Sequence, residues 1–260
     1  MEFGITVNTI ADIYKAKAAN FRYVVFGGTL LSSLDRVGLN DLRNALFFSG
    51  MECRTINRYC REELKMAGDG YSHQKAKEYA EELAAKCAFL GCTSVGIGSP
   101  KSRVVTPEEV PHALNDFAEF VFVTTDVFSK YNITVCVEPL SQKYCRLVNT
   151  MEEGEFIINR QPRPGAKLIA DFYNLELDGN NGLDLSKWLP HLFHIHVSDD
   201  NGSIFGRSYL KQEKKAIHIK RLKNLISSGY CGDVTLEIDT PVDIEQAAQS
   251  LAILQAARQA

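Results

Sequence analysis

Four residues in the second half of the chain combine types and positions that could hold a metal ion. Glu138 lies in Val137-Glu138-Pro139-Leu140 and Asp171 closes Leu168-Ile169-Ala170-Asp171. His196 lies in Phe193-His194-Ile195-His196-Val197-Ser198-Asp199, and Glu237 in Leu236-Glu237-Ile238-Asp239. Each sits at or near the end of a short apolar run, where a strand would bring it to one rim of a sheet. Three carboxylates and an imidazole make an O₃N donor set suited to one divalent ion, Mn, Mg or Co, with Zn also accepted. Singly, each residue has a duller explanation. A Glu at a strand end serves as an ion-pair partner, and one ring of a His-x-His strand, where both share a face, can be a satisfied core group. Four in succession on adjacent strands favour the metal.

The elements that would position them repeat along the chain. Strand-like runs occur at Phe3–Val7, Tyr23–Phe26, Glu52–Ile56, Ser94–Ile97, Ile133–Glu138, Lys167–Phe172, Phe193–Val197 and Asp233–Ile238. Several are almost continuously apolar, as strands covered on both faces are. Helical patterns alternate with them. His73–Leu90 places Ala76, Tyr79, Ala80, Leu83, Ala84, Cys87 and Leu90 on one face. Thr106-Pro107-Glu108-Glu109 reads as a helix start with Thr106 as N-cap. Thr150 and Glu153 have capping-box spacing, and Glu245–Ala257 is an amphipathic helix. Eight strand–helix repeats without a linker predict an α/β fold, a single (β/α)8 TIM barrel over residues 1–260. The alternative, an open doubly wound sheet, would carry a Gly-rich loop after its first strand. That segment is Val7-Asn8-Thr9-Ile10, and the pair Gly27-Gly28 after the second is too little.

Composition narrows the partners. A formal charge of −3 argues against broad capture of nucleic acid or of an anionic membrane, leaving a local basic stripe as the route to either. Seven cysteines, at 53, 60, 87, 92, 136, 145 and 231, form no CxxC pair and suit a reducing compartment. The first residues, MEFGITVNTI, lack a secretory n-region and h-region, and no apolar run approaches the ~20 residues of a bilayer span. A cytoplasmic location is the expectation.

Three stretches resemble the xylose isomerase-like barrel superfamily of sugar isomerases and epimerases, which also contains endonuclease IV. Val137-Glu138-Pro139-Leu140, continued through Leu147-Val148-Asn149-Thr150-Met151-Glu152-Glu153, is similar to its fifth strand and the start of the following helix. His194–Asp199 is similar to its seventh strand, and Gly229–Ile238 to its last turn and eighth strand. Ser250-Leu251 in the final helix also fits. The resemblance implies that Glu138, Asp171, His196 and Glu237 bind one metal ion. It also implies that Glu138 and Glu237 act as acid and base on opposite faces of a carbohydrate. The chemistry implied is removal of a proton beside a carbonyl and its return through an enediolate, with the ion as Lewis acid. Related barrels frequently associate, so a homo-oligomer is compatible with the resemblance.

The chain departs from the family around the substrate. A His common three residues after the strand-six Asp is Asn174, and an acidic residue six after the strand-five Glu is Tyr144. An Arg six after the strand-seven His is Gly202, and the stretch Gly202–Lys215 has no His. Substrate contacts are therefore expected from Asn174, Tyr144, Lys143, His194 and Arg207, with Lys211 and Lys214 as further cations. Against this, a run such as Lys211–Lys215 is usually a solvated face. Arg54, Asn57 and Arg58 at the third strand either face the pocket or make salt bridges, and His73, His112 and His218 read as surface or helix positions. Two alternatives to a sugar isomerase stand: a non-catalytic or degenerate sugar-binding barrel, and an apurinic endonuclease. The nuclease would need extra histidines that Thr55–Asn57, Gly96–Ser99 and Asn174 do not supply.

Overall fold

Eight short parallel strands close on themselves. In chain order they are Phe3–Thr6, Tyr23–Gly27, Glu52–Asn57, Ser94–Ile97, Thr134–Val137, Ala166–Asp171, Leu192–Val197 and Asp233–Leu236, called here the first to eighth strands. Each pairs with its sequence neighbours, and the eighth closes the ring against the first through Phe3↔Val234, Gly4↔Thr235 and Ile5↔Leu236. The computed structural model describes residues 1–259. The strands fall within two residues of the expected runs because burial on both sides demands near-continuous apolar sequence. Glu138 and Glu237 lie one residue past their strands, yet the ladder continues through them: Glu138 N–H donates to the Ile97 carbonyl (3.2 Å) and Glu237 N–H to that of Val197 (2.9 Å).

Helices wrap the outside. His73–Leu90 buries Ala76, Ala80, Leu83, Ala84, Cys87 and Leu90, the expected face, while Tyr79 reaches inward to donate its hydroxyl to the Tyr59 carbonyl at 2.6 Å. In helix Val110–Phe128 the aromatic face Phe117, Phe120 and Phe128 is fully buried, each ring stabilising the wall by about 1.5–3 kcal/mol. The Thr150–Glu153 capping box forms and starts helix Met151–Arg160. The helix expected to start at Thr106 begins instead at Val110. Glu109 folds back so that its carboxylate accepts from Thr106 N–H (2.7 Å), and residues 107–109 make a turn rather than a first helical turn. The final helix runs Ile244–Gln259, and Trp188 packs in the short turn Ser186–Trp188 with 1% of its surface exposed.

One element was not foreseen. Beyond the seventh strand, Asp199–Asp200 pairs antiparallel with Arg207–Ser208, a short hairpin over the C-terminal mouth of the barrel. Its base is anchored at Asp199, whose Oδ2 accepts from Lys211 N–H (2.8 Å) and pairs with His218 Nε2 (2.9 Å), while Lys214 Nζ lies 3.1 Å from Oδ1. His218 is therefore a buried helix residue with a partner, not a surface one. All seven cysteines are free thiols, six of them buried. Among the described residues no helix is long and apolar enough to cross a membrane.

Candidate metal centre

The fifth to eighth strands bring Glu138, Asp171, His196 and Glu237 together at the barrel mouth, with ligand atoms all within 4.8 Å of one another. All four are buried, none more than 7% exposed. His196 turns Nδ1 to the carboxylates, 3.1 Å from Glu138 Oε1 and 3.9 Å from Glu237 Oε2. Asp171 divides its oxygens. Oδ1 caps the helix Phe172–Leu177, accepting from Tyr173 N–H at 2.7 Å and Asn174 N–H at 3.3 Å, whereas Oδ2 accepts no hydrogen bond. Gly98 makes room beside the fifth strand: a Cβ there would lie 2.5 Å from Glu138 Oε2.

Charge is crowded in this small volume. Burial, reinforced by Glu138 and Glu237, raises the Asp171 carboxyl to about 6 although Arg207 opposes the shift. Burial works against the His196 imidazolium, but Glu138, Glu237 and Asp171 outweigh it and keep the ring protonated up to about 9. Burial also pushes the Glu138 carboxyl upward, and His196 and Arg207 together carry it below the ordinary carboxylate range. A divalent ion fits this set. Three buried carboxylates and an imidazole converge, one carboxylate oxygen has no hydrogen bond, and hard oxygen donors dominate.

Arg207 enters from the hairpin. Its Nη2 lies 2.8 Å from Asp171 Oδ2, in ionic contact without hydrogen-bond alignment, and 3.2 Å from Asn174 Oδ1, while Nη1 donates to Ser198 Oγ at 3.0 Å. The guanidinium stacks over the Tyr173 ring at 4.4 Å. Asp239 fixes the Arg207 backbone by accepting its N–H at 2.7 Å. The hairpin tip is drawn down over the centre, because the Tyr144 and Tyr173 hydroxyls both donate to the Ile204 carbonyl and Tyr144 packs on Phe205. Five surface cavities, of 390 to 640 Å³, are lined by none of the four candidate ligands. The centre lies beneath this cover.

The expected substrate contacts divide. Arg207, Asn174 and Tyr144 gather at the centre. Lys143 does not: it is exposed and lines a groove with Asn149, Thr150 and Asp178. His194 shares a strand face with His196 but lies one layer deeper, its Nε2 2.7 Å from Thr235 Oγ1 and its ring edge-on to Tyr23, so it fills the barrel interior. Burial and the neighbouring His196 hold its pKa well below the usual imidazole range, so it is neutral. Of the third-strand trio, Arg54 is at the opposite end of the barrel, paired with Glu52 and Asp233. Arg58 pairs with Asp239, and Asn57 donates Nδ2–H to Glu237 Oε1 at 2.6 Å. Ser198, Tyr173 and Gly98 carried no signal of their own in the sequence, since their side-chain or steric roles toward Arg207, Ile204 and Glu138 depend on how other segments fold against them.

A family model described as a xylose isomerase-like TIM barrel matches residues 13–257. No curated protein matches the chain significantly. Among solved structures, a D-psicose 3-epimerase from Clostridium cellulolyticum H10, crystallised with D-tagatose, superposes with a TM-score of 0.77 at 16% identity, covering 99% of this chain and 98% of that one. A 3-keto-D-glucoside 4-epimerase from E. coli gives 0.74 at 15% identity, covering 98% and 99%. A xylose isomerase domain protein from Alicyclobacillus acidocaldarius gives 0.76 at 16% identity, covering 99% of both. At these identities the likeness establishes the shared fold.

Proposed function

Since this chain belongs to the xylose isomerase-like TIM barrel family, we propose that it is a divalent-metal-dependent isomerase or epimerase that moves a proton on the carbon beside a sugar carbonyl. The observation that carries this reading is the convergence of Glu138, Asp171, His196 and Glu237 within 4.8 Å at the strand ends where such barrels place their chemistry. Two fold neighbours bear epimerase names, which supports the class of reaction.

These four residues would hold one divalent ion, Mn, Mg or Co, with Zn also accepted by the donor set. When bound, the ion supplies Lewis-acid stabilisation of the negative charge that builds on substrate oxygen. The chain's own groups do the rest. Glu138, held below the ordinary carboxylate range, is ionised near neutral pH and can take a proton, as a weaker base than an unperturbed carboxylate. Glu237, entering the step protonated, delivers its own proton to the opposite face in an epimerisation or to the adjacent carbon in an aldose–ketose exchange. Glu138 ends protonated and Glu237 ionised, and both exchange with solvent before the next turnover. Arg207, Asn174 and Tyr144 orient the hydroxyls, and the hairpin tip at Ile204–Phe205 keeps water from the reacting carbon. The cations of the hairpin and the segment after it are already matched: Arg207 by Asp171, Lys211 by Asp200, and Lys214 by Glu176 and Asp199. That arrangement favours a neutral sugar over a phosphorylated or acidic one.

The test is a panel of ketoses and ketose phosphates incubated with the Mn-loaded protein in deuterated water. Proton NMR should show metal-dependent loss of a signal alpha to the carbonyl. No exchange with any sugar, together with no stoichiometric uptake of Mn, Mg, Co or Zn, would overturn the reading. One observation favours a second, a barrel that binds sugar without turning it over: Arg207 gives Asp171 a cation of the chain's own at 2.8 Å. That reading expects sugar binding without metal uptake, so metal analysis separates the two.

A further inference from the structure

Glu237 is held from across the barrel by a neutral side chain. Asn57 ends the third strand, and the first and second strands lie between it and the eighth. Its amide nevertheless reaches Glu237 Oε1 at 2.6 Å, with Asn57 3% and Glu237 7% exposed. The backbone beside Glu237 is pinned as well. Thr6 Oγ1 accepts from Ile238 N–H at 2.7 Å and donates to the Ile238 carbonyl at 2.8 Å. One residue along, Arg58 pairs with Asp239. Two successive residues at the end of the third strand therefore grip alternate residues just past the eighth, Asn57 holding Glu237 and Arg58 holding Asp239.

The consequence for Glu237 is orientation. With Oε1 engaged by the amide, the carboxylate plane is fixed and Oε2 faces the centre, 3.9 Å from both His196 Nδ1 and Arg207 Nε. The amide does this without bringing a charge, so it neither neutralises the carboxylate nor competes with a cation for it. We propose that Asn57 is a positioning residue, which fixes the Glu237 carboxylate so that Oε2, and not Oε1, is presented to the ion and to the substrate. The part concerning the ion rests on the metal-centre reading; the orientation itself does not.

Two measurements test this. In Mn²⁺ titrations by calorimetry, Asn57→Ala should weaken binding about 10–100-fold, the usual effect of removing a group that orients a metal ligand. The double variant Asn57→Ala/Glu237→Gln should bind no more weakly than Glu237→Gln alone, because Asn57 acts only through that carboxylate. Unchanged affinity in Asn57→Ala, or losses that simply add in the double variant, would overturn the proposal. In crystals of the metal-free proteins, wild type should show a single Glu237 rotamer on Asn57, and Asn57→Ala a different rotamer or several. An unmoved Glu237 in the variant would sink it. If wild type takes up no Mn²⁺, the metal reading falls and the crystallographic comparison alone decides on Asn57. Should Asn57→Ala not fold, Asn57→Ser, whose hydroxyl is too short to reach Oε1, replaces it in both measurements.

Discussion

Arg207 Nη2 lies 2.8 Å from Asp171 Oδ2, inside a ring of buried carboxylates. Beside the His196 imidazolium of the barrel wall, the centre thus has a second cation of the chain's own, delivered by the hairpin.

Removing that cation should expose the competition. Arg207→Met leaves Asp171 buried beside Glu138 and Glu237 without its guanidinium, and breaking a buried pair of this kind costs about 3–5 kcal/mol. The metal-free variant should melt below wild type, and saturating Mn²⁺ should raise its Tm by more than it raises that of wild type. Equal metal-induced shifts in the two proteins would show that Arg207 and the ion do not contend for Asp171.

Glu138→Gln and Glu237→Gln keep the side-chain shape and remove, respectively, the group that takes the proton and the group that gives one. Each should slow alpha-proton exchange on the responsive sugar by at least about 100-fold, with circular dichroism unchanged. Exchange that persists in both variants would assign the proton transfer to other groups.

The centre should take up metal more tightly as pH rises. His196 keeps its proton up to about 9 in the metal-free protein, and an imidazole ligates only after losing it, so each ion bound below that pH displaces one proton. Mn²⁺ affinity should climb by up to about tenfold per pH unit and flatten above about 9. The slope should steepen below about 6, where Asp171 is protonated too. The folded-state imidazole is raised above its ordinary ~6.5. Its contribution to metal-free stability is therefore complete below that value and lost as pH rises through about 9. Calorimetric titrations from pH 5 to pH 10 check this; a flat profile would refute it.

Asp199→Asn should loosen the hairpin. Its carboxylate serves Lys211 N–H, His218 and Lys214 at once, and losing the charge should cost about 1–3 kcal/mol in urea denaturation. Burial alone would raise this carboxyl, but His218 and the Lys211 amide hold it at about 2. The contribution is therefore present above the ordinary ~3.9 and lost as pH falls toward about 2. The variant should also be cut sooner by protease within residues 202–206. An unchanged urea midpoint would count against the anchor.

Gly98→Ala should strike the metal centre harder than the fold. The new Cβ, 2.5 Å from Glu138 Oε2, must displace the carboxylate, and overpacking of this kind costs about 1–3 kcal/mol of stability. Mn²⁺ affinity should fall at least tenfold, or about 1.4 kcal/mol, in a titration of the folded variant. Wild-type affinity would mean that Glu138 Oε2 is not needed by the ion.

The wall of the barrel was legible because strands covered on both sides must be apolar, and Val135–Val137 or Val95–Ile97 can serve little else. The four candidate ligands were legible for the converse reason: a carboxylate or imidazole at the end of such a run stands out. What surrounds them was not. Asn57 meets Glu237 across 180 residues of sequence, and nothing near either residue announces the pairing. Arg207 reaches Asp171 only because a hairpin with strands of two residues, too short for any periodicity, folds it back. His194 was misplaced by one layer: a shared strand face says which way a ring points, not how deep it sits. At Thr106 the capping signal did not start a helix: Glu109 accepts from the Thr106 N–H and closes a turn before the helix begins at Val110.

The eighth strand docks between the first and the seventh, and it brings Glu237. A half-assembled chain with seven strands in place therefore has three ligands and a gap, whatever their local geometry. The four ligand-bearing strands are consecutive in the ring, so an ion held there would tie the fifth to eighth strands into one arc. Opening the seam between the seventh and eighth strands would take Glu237 out of the set, whereas opening the seam between the eighth and the first would leave all four ligands on one arc.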